Sequence, residues 1–208
     1  TLKKHSINYI SSLTPYSNKS VRNLLQSIEL DLNIFFGLPP IFEGNVLSIT
    51  SILPSPSRFK EELINRSLTY KAIISIIFYP KKTLEDLAKE NFTSISTALR
   101  TLLPLKEYFK ELNIQFSITN LSLLGDERII RISLSQILWL ISHGNNLPSQ
   151  FERDSLYEEY QLYKRNFFKD SLTFPISEQV DLLLTVFYFR TSHNFFITEE
   201  MPPIFNEW

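Results

Sequence analysis

Cysteine is absent from the 208-residue chain, which removes disulfides, cysteine-ligated zinc and thiol nucleophiles and fits a reducing compartment. Glycine is nearly as scarce, with only Gly37, Gly44, Gly125 and Gly144. Phosphate-cradling loops need several glycines close together so that backbone N–H groups can approach the anion, so a P-loop and a dinucleotide-binding fingerprint are both missing. The three histidines, His5, His143 and His193, stand apart, and none has a second at the i, i+4 spacing that sets two imidazoles on one helix face. No apolar run approaches the roughly 18 residues of a membrane-spanning helix. A strong charge of one sign is lacking too: 21 lysines and arginines meet 22 aspartates and glutamates, for a formal charge of -1. A domain that holds nucleic acid unaided carries a basic excess, so any such contact here is expected to be local or shared. The opening Thr1-Leu2-Lys3-Lys4-His5 has neither an initiator Met nor a signal-peptide run, and a domain of a longer protein is expected.

What is present is globular in balance, 43% hydrophobic and 21% charged, and long enough for a domain of about 150 residues with a smaller one attached. Residues 6–13 read as a strand. A helix over 18–29 follows, with Val21, Leu24, Leu25 and Ile28 recurring on one face. Residues 32–36 form an apolar run of strand length, closed by Gly37 and Pro39-Pro40. A strand over 46–53, a helix over 57–66 and a strand over 72–78 come next. The last has almost no alternation, as a central strand covered on both faces would. A helix over 95–112 bent at Pro104, strands over 114–118 and 129–132, and a helix capped by Ser133 and closed by Gly144 complete an α/β domain over 1–148. The polar segment 145–150 with Pro148 marks the boundary. Beyond it, 149–208 reads as a helical tail with helices over 155–168, 177–189 and 199–208.

Grouped chemistry is hard to find. No nucleophile elbow, carboxylate pair beside a histidine or two-metal carboxylate cluster is present, so the protein is expected to bind without catalysing and to hold neither metal nor cofactor. Gly125-Asp126-Glu127-Arg128 reads as a solvated turn between two strands. The basic pairs Lys3-Lys4, Lys81-Lys82 and Lys164-Arg165 are candidates for phosphate contact. Phe187, Tyr188, Phe189, Phe195, Phe196, Phe205 and Trp208 exceed what a tail of about 60 residues buries within itself. Phe187, Phe189, Phe195, Phe196 and Trp208 are therefore candidate anchors for a protein partner.

The stretch from Gly44 to Pro80 resembles the nuclease core of the XPF family of structure-specific DNA endonucleases. In that family a strand opening with Gly-Asp leads through Glu-Arg-Lys into a helix with a further Asp and then into an apolar strand. Laid on without a gap, the pattern sets Gly44 on the Gly, Asn45 on the Asp, Ser55-Pro56-Ser57 on the triplet and Glu61 on the trailing Asp. The resemblance implies a restriction-nuclease-like central sheet flanked by helices, followed by a degenerate helix-hairpin-helix tail. Its active site is eroded, because Glu61 alone keeps a carboxylate and one carboxylate does not hold a catalytic metal pair. Among non-catalytic relatives, the pattern looks like the XPF-like domain of the fungal meiotic Zip group. That likeness implies a nuclear, chromosome-associated scaffold, paired with a smaller subunit similar to the non-catalytic excision-repair partner. The pair would bind branched recombination intermediates and promote meiotic crossovers and synaptonemal complex assembly. The alternative is an α/β protein–protein interaction domain with no role on DNA.

Overall fold

The computed structural model describes residues 4–44, 46–49, 51–142, 158–159, 162, 165–166 and 175–197. The chain divides into two compact units, Thr1–Leu63 and Ile64–Trp208. The boundary predicted at 145–150 lies outside the described residues.

In the first unit, strand β1 (Lys4–Ser6) runs into helix α1 (Ile7–Ser12), and helix α2 (Asn18–Phe36) is followed by β2 (Phe42–Glu43) and β3 (Val46–Ser48). The strands form an antiparallel sheet in the order β1-β3-β2. Ser6 and Ser17 cap the two helices, their hydroxyl oxygens accepting from the Tyr9 and Ser20 N–H groups. Gly37 ends α2 in the left-handed conformation, φ 63°, which a residue without Cβ adopts freely. Glu29 ties helix to sheet, one carboxylate oxygen accepting from the N–H of Ile41 at 2.8 Å and of Phe42 at 2.9 Å. Two expectations change here. Of the strand predicted over 6–13 only Ser6 is strand, the rest being helix α1 and its C-cap, and the apolar run 32–36 is the end of α2.

Helix α3 (Pro56–Arg66) spans the division. The second unit holds α4 (Leu68–Phe78), α5 (Leu84–Glu90), α6 (Ile95–Glu111), the hairpin β4 (Gln115–Ser117) and β5 (Ser122–Leu124), α7 (Glu127–Ser142) and α8 (Ile176–Ser192). Its core gathers nearly all of α4 with Leu84 and Leu87 of α5, Leu102 and Phe109 of α6, Leu134 and Leu138 of α7, and Val186 and Phe189 of α8. Helix α4 is buried all round from Ala72 to Phe78, which explains why its sequence lacks amphipathic rhythm. Between α7 and α8 a charged network closes the core. Glu127 accepts from Arg190 at 2.6 and 2.8 Å and from Arg131 at 2.9 Å, while Arg131 also donates to the Phe195 carbonyl at 2.5 Å.

The predicted α/β fold with a nuclease-like central sheet is therefore wrong. The described residues are mainly helical, and their only sheets are the three-stranded one and the two-stranded hairpin, both antiparallel and small. The segment meant as the central strand, 72–78, is helix α4, and the strand predicted over 129–132 is the second turn of α7. The first error is not arbitrary, since a fully buried helix and a fully buried strand share the same unbroken apolar pattern. In 129–132, three isoleucines in four residues favour a strand by propensity although Ile129 and Ile132 are exposed.

Candidate nucleic-acid interface

Helix α5, the turn after it and the start of α6 are fixed by capping and side-chain hydrogen bonds. Thr83 and Asp86 form a capping box at the start of α5. The Thr83 hydroxyl oxygen accepts from the Asp86 N–H at 3.2 Å, and an Asp86 carboxylate oxygen accepts from the Thr83 N–H at 2.9 Å and its hydroxyl at 2.7 Å. The hydroxyl bond, foremost, holds the Asp86 carboxyl below its ordinary range. At the other end Asn91 donates to the Leu87 carbonyl at 2.7 Å and accepts from the Lys71 ammonium of α4. Ser94 then caps α6, accepting from the Thr97 N–H at 3.1 Å. The turn thus locks α5, α6 and α4 into one rigid piece.

Helix α6 turns Ala98, Leu102, Leu105 and Phe109 inward, an i, i+4, i+7, i+11 stripe that leaves the opposite face in solvent. Ser96, Thr97, Arg100, Thr101, Lys106, Glu107, Lys110 and Glu111 are exposed there, with Lys110 paired to Glu107 at 3.8 Å. So are Ile95, Leu99 and Leu103, at 51%, 42% and 43%. Beside this face a groove of about 470 Å³ runs between the start of α4 and α6. Arg66 and Lys71 stand on its α4 side, Asn91 and Thr93 in the turn, and Thr97 and Thr101 on α6. Cations and hydroxyls along a helix edge are the groups that hold phosphate oxygens.

Phe92 is out of character in this turn. Its ring is 99% exposed and its φ is 51°, a left-handed conformation that costs a residue with a Cβ about 1–2 kcal/mol. Phe92→Gly is expected to leave the fold intact and raise stability by up to about 1 kcal/mol, after the larger chain entropy of glycine is set against the released strain. Urea denaturation checks this. A loss of stability would mean that the ring is packed.

The residues selected from sequence are not brought together. Gly44 sits in the β2–β3 turn at φ 63°, and Asn45 lies outside the described residues. Ser55-Pro56-Ser57, set on the nuclease triplet, is instead a helix start. The Ser55 hydroxyl oxygen accepts from the Arg58 N–H at 3.2 Å, and Pro56 takes the first helical position, where its missing N–H costs nothing. Glu61 is exposed on α3, and no group of three or more metal-ligating side chains occurs among the described residues.

Of the basic pairs, Lys4 is exposed on β1 and Arg165 is exposed, whereas Lys3 and Lys164 lie outside the described residues. Lys81 is exposed just before α5. Lys82 is engaged, pairing with Glu90 and lying 5.6 Å over the Tyr79 ring.

The aromatic anchors divide. Phe189 is wholly buried in the core of its own unit, meeting Phe78 edge to face at 4.7 Å, and is no exposed anchor. Phe187 covers the Arg131 guanidinium at 4.7 Å and Phe195 that of Arg190 at 3.9 Å. Phe196 is exposed, and Trp208 lies outside the described residues.

Sequence reasoning missed Arg66, Lys71 and Arg100. The available signal was Thr83 three residues before Asp86 and Ser94 before a periodic run, two helix starts separated by a single short helix.

Residues 55–138 match a family model described as the Mga helix-turn-helix domain. The matched span is less than half of the chain and runs from the cap of α3 to Leu138 in α7. No curated protein matches the chain. The resemblance to XPF nucleases is overturned on both counts, by a match to a different family and by the missing sheet. In helix-turn-helix domains the second helix of the motif enters the major groove. Residues 55–138, from α3 into α7, are thus similar to a DNA-binding domain, and DNA binding is the function class that this likeness supports.

Proposed function

We propose that this chain binds duplex DNA without catalysing a reaction on it, laying α6 along the major groove with Arg66 and Lys71 against one phosphate backbone. The observation that carries the reading is the match to a helix-turn-helix domain, over helices that flank a groove lined by Arg66 and Lys71. Charge supports it locally. Residues 55–138 hold twelve lysines and arginines against nine aspartates and glutamates, although the whole chain is at -1. The Thr93 and Thr97 hydroxyls add phosphate-bonding capacity along the same edge, whereas the Thr101 hydroxyl donates to the Thr97 carbonyl at 2.9 Å. The protein would then work on the chromosome, and its modest charge leaves room for DNA contact shared with a protein partner. Preference for branched junctions, an excision-repair-like partner subunit and a meiotic role were implied only by the nuclease resemblance and are given up with it.

The second reading is a protein-interaction domain with no DNA role. Helix α2 favours it, leaving Leu24, Leu30 and Ile34 exposed. Titration of a mixed-sequence duplex across a salt series separates the two. Under the DNA reading the logarithm of affinity falls linearly with the logarithm of salt concentration, and Arg66→Ala lowers the slope by about 1. An absence of binding at about 50 mM salt would leave the protein-interaction reading standing.

A further inference from the structure

The first ten residues of α6 carry a single charge, Arg100; the acids Glu107 and Glu111 come only near its end. At 3.6 residues per turn, Ile95, Ser96, Leu99, Arg100 and Leu103 fall on one face, and all five are exposed. Three branched aliphatic side chains in a row on a polar helix face are poorly hydrated until something covers them. The surrounding charge says what. Arg66 and Lys71 flank the face on the side of Thr97 and Thr101, and Lys106 and Lys110 continue the line of Leu99 and Leu103 one heptad further on. An apolar strip with Arg66 and Lys71 on one side, and with Lys106 and the Glu107–Lys110 pair beyond its end, fits a groove whose floor is base edges and whose walls are phosphates. An apolar protein surface would need an acidic rim to match it.

Resting on the DNA reading above, we propose that α6 selects sites in which thymines surround a guanine, with Ile95, Leu99 and Leu103 packing on thymine C5-methyl groups and Arg100 holding the guanine. The chemistry of the groove leads to this choice. Thymine alone offers a methyl there, and guanine offers O6 and N7, which a guanidinium grips in bidentate fashion. Adenine and cytosine present amino groups that an isoleucine or leucine would desolvate without a hydrogen bond in return.

The test is selection from a library of random duplexes by the full chain, followed by replacement of thymine with deoxyuracil in the selected site, which removes the methyl and nothing else. Each contacted methyl should be worth about fourfold in affinity. Arg100→Lys keeps the charge and loses the fork, so preference for guanine should fall by about fivefold to a hundredfold while affinity for mixed-sequence DNA is held. In Leu99→Ser/Leu103→Ser, thymine and deoxyuracil sites should bind more nearly alike than they do with the unaltered chain. Equal binding of both sites by the unaltered chain, or a selected site without thymine, overturns the proposal while salt-dependent DNA binding stands. If no duplex binds at low salt, the broader DNA reading falls as well, and an apolar protein contact becomes the occupant of the strip.

Discussion

Glu127→Ala should destabilise the chain by about 3–5 kcal/mol, the cost of leaving a buried charge without its partner. The carboxylate is 9% exposed and lies between Arg131 and Arg190, whose side chains are 5% and 2% exposed. Its loss leaves two guanidinium groups inside the protein with Phe187 and Phe195 over them and no carboxylate partner among the described residues. A surface ion pair would give a different result, under about 1 kcal/mol. Urea denaturation followed by circular dichroism distinguishes the two. A loss within the surface range would show that water reaches the network. Glu127→Ala/Arg190→Met should recover part of the loss, because it removes one stranded charge and fills the space with an apolar side chain. With domain stabilities of about 5–15 kcal/mol, the single variant is expected to lose a large share of the total, and the double variant keeps the measurement informative.

Phe109→Ala should cost about 3–5 kcal/mol as well, from lost burial plus the cavity left behind. The ring is 0% exposed, meets Phe116 of the hairpin at 5.7 Å, and belongs to a residue whose carbonyl accepts from the Ile114 N–H at 2.9 Å. Truncation therefore strikes the joint between α6 and β4. Leu103→Ala on the same helix should change stability by no more than about 0.5 kcal/mol, as surface substitutions do. The contrast tests the rotation of α6, on which every statement about its outward face depends. Equal losses at the two positions would mean that the face assigned to DNA is part of the core.

Sequence alone carried two of the longer helices and one strand of the hairpin. Helix α6 was predicted over 95–112 and occupies Ile95–Glu111, the helix predicted over 177–189 is α8, Ile176–Ser192, and β4 lies within the strand predicted over 114–118. It failed where burial on all sides erases periodicity. The isoleucines and phenylalanine of 72–78 favour strands by propensity, and only the Ser67 cap and the length from Leu68 to Phe78 argue for a helix. The short helix α5 was overlooked because Leu84, Leu87 and Ala88 are too few to repeat. The acidic turn at 125–128 was half right. Asp126 is bound by Arg128 at 2.7 Å, which holds its carboxyl below the usual range, but the adjacent Glu127 is the buried partner of two arginines. Arg190 is 63 residues away in the chain, a pairing that no local pattern can reveal. The interface was hidden for a related reason: Arg66, Lys71 and Arg100 are unremarkable one by one, and packing alone puts two of them on one groove and the third on the neighbouring face.

The hairpin after α6 is short, and its tip is drawn in. Ile118 and Leu121 are buried, and the Thr119 carbonyl accepts from the Leu84 N–H at 2.9 Å. A hairpin fastened in this way cannot reach out as an arm along a neighbouring minor groove, so sequence reading would fall to one helix over roughly four or five base pairs. A four-base word recurs by chance about once in every 256 base pairs, against a genome offering on the order of a million or more competitors. Addressing a single locus therefore requires information from a second reading head, whether another copy of this chain or a different protein.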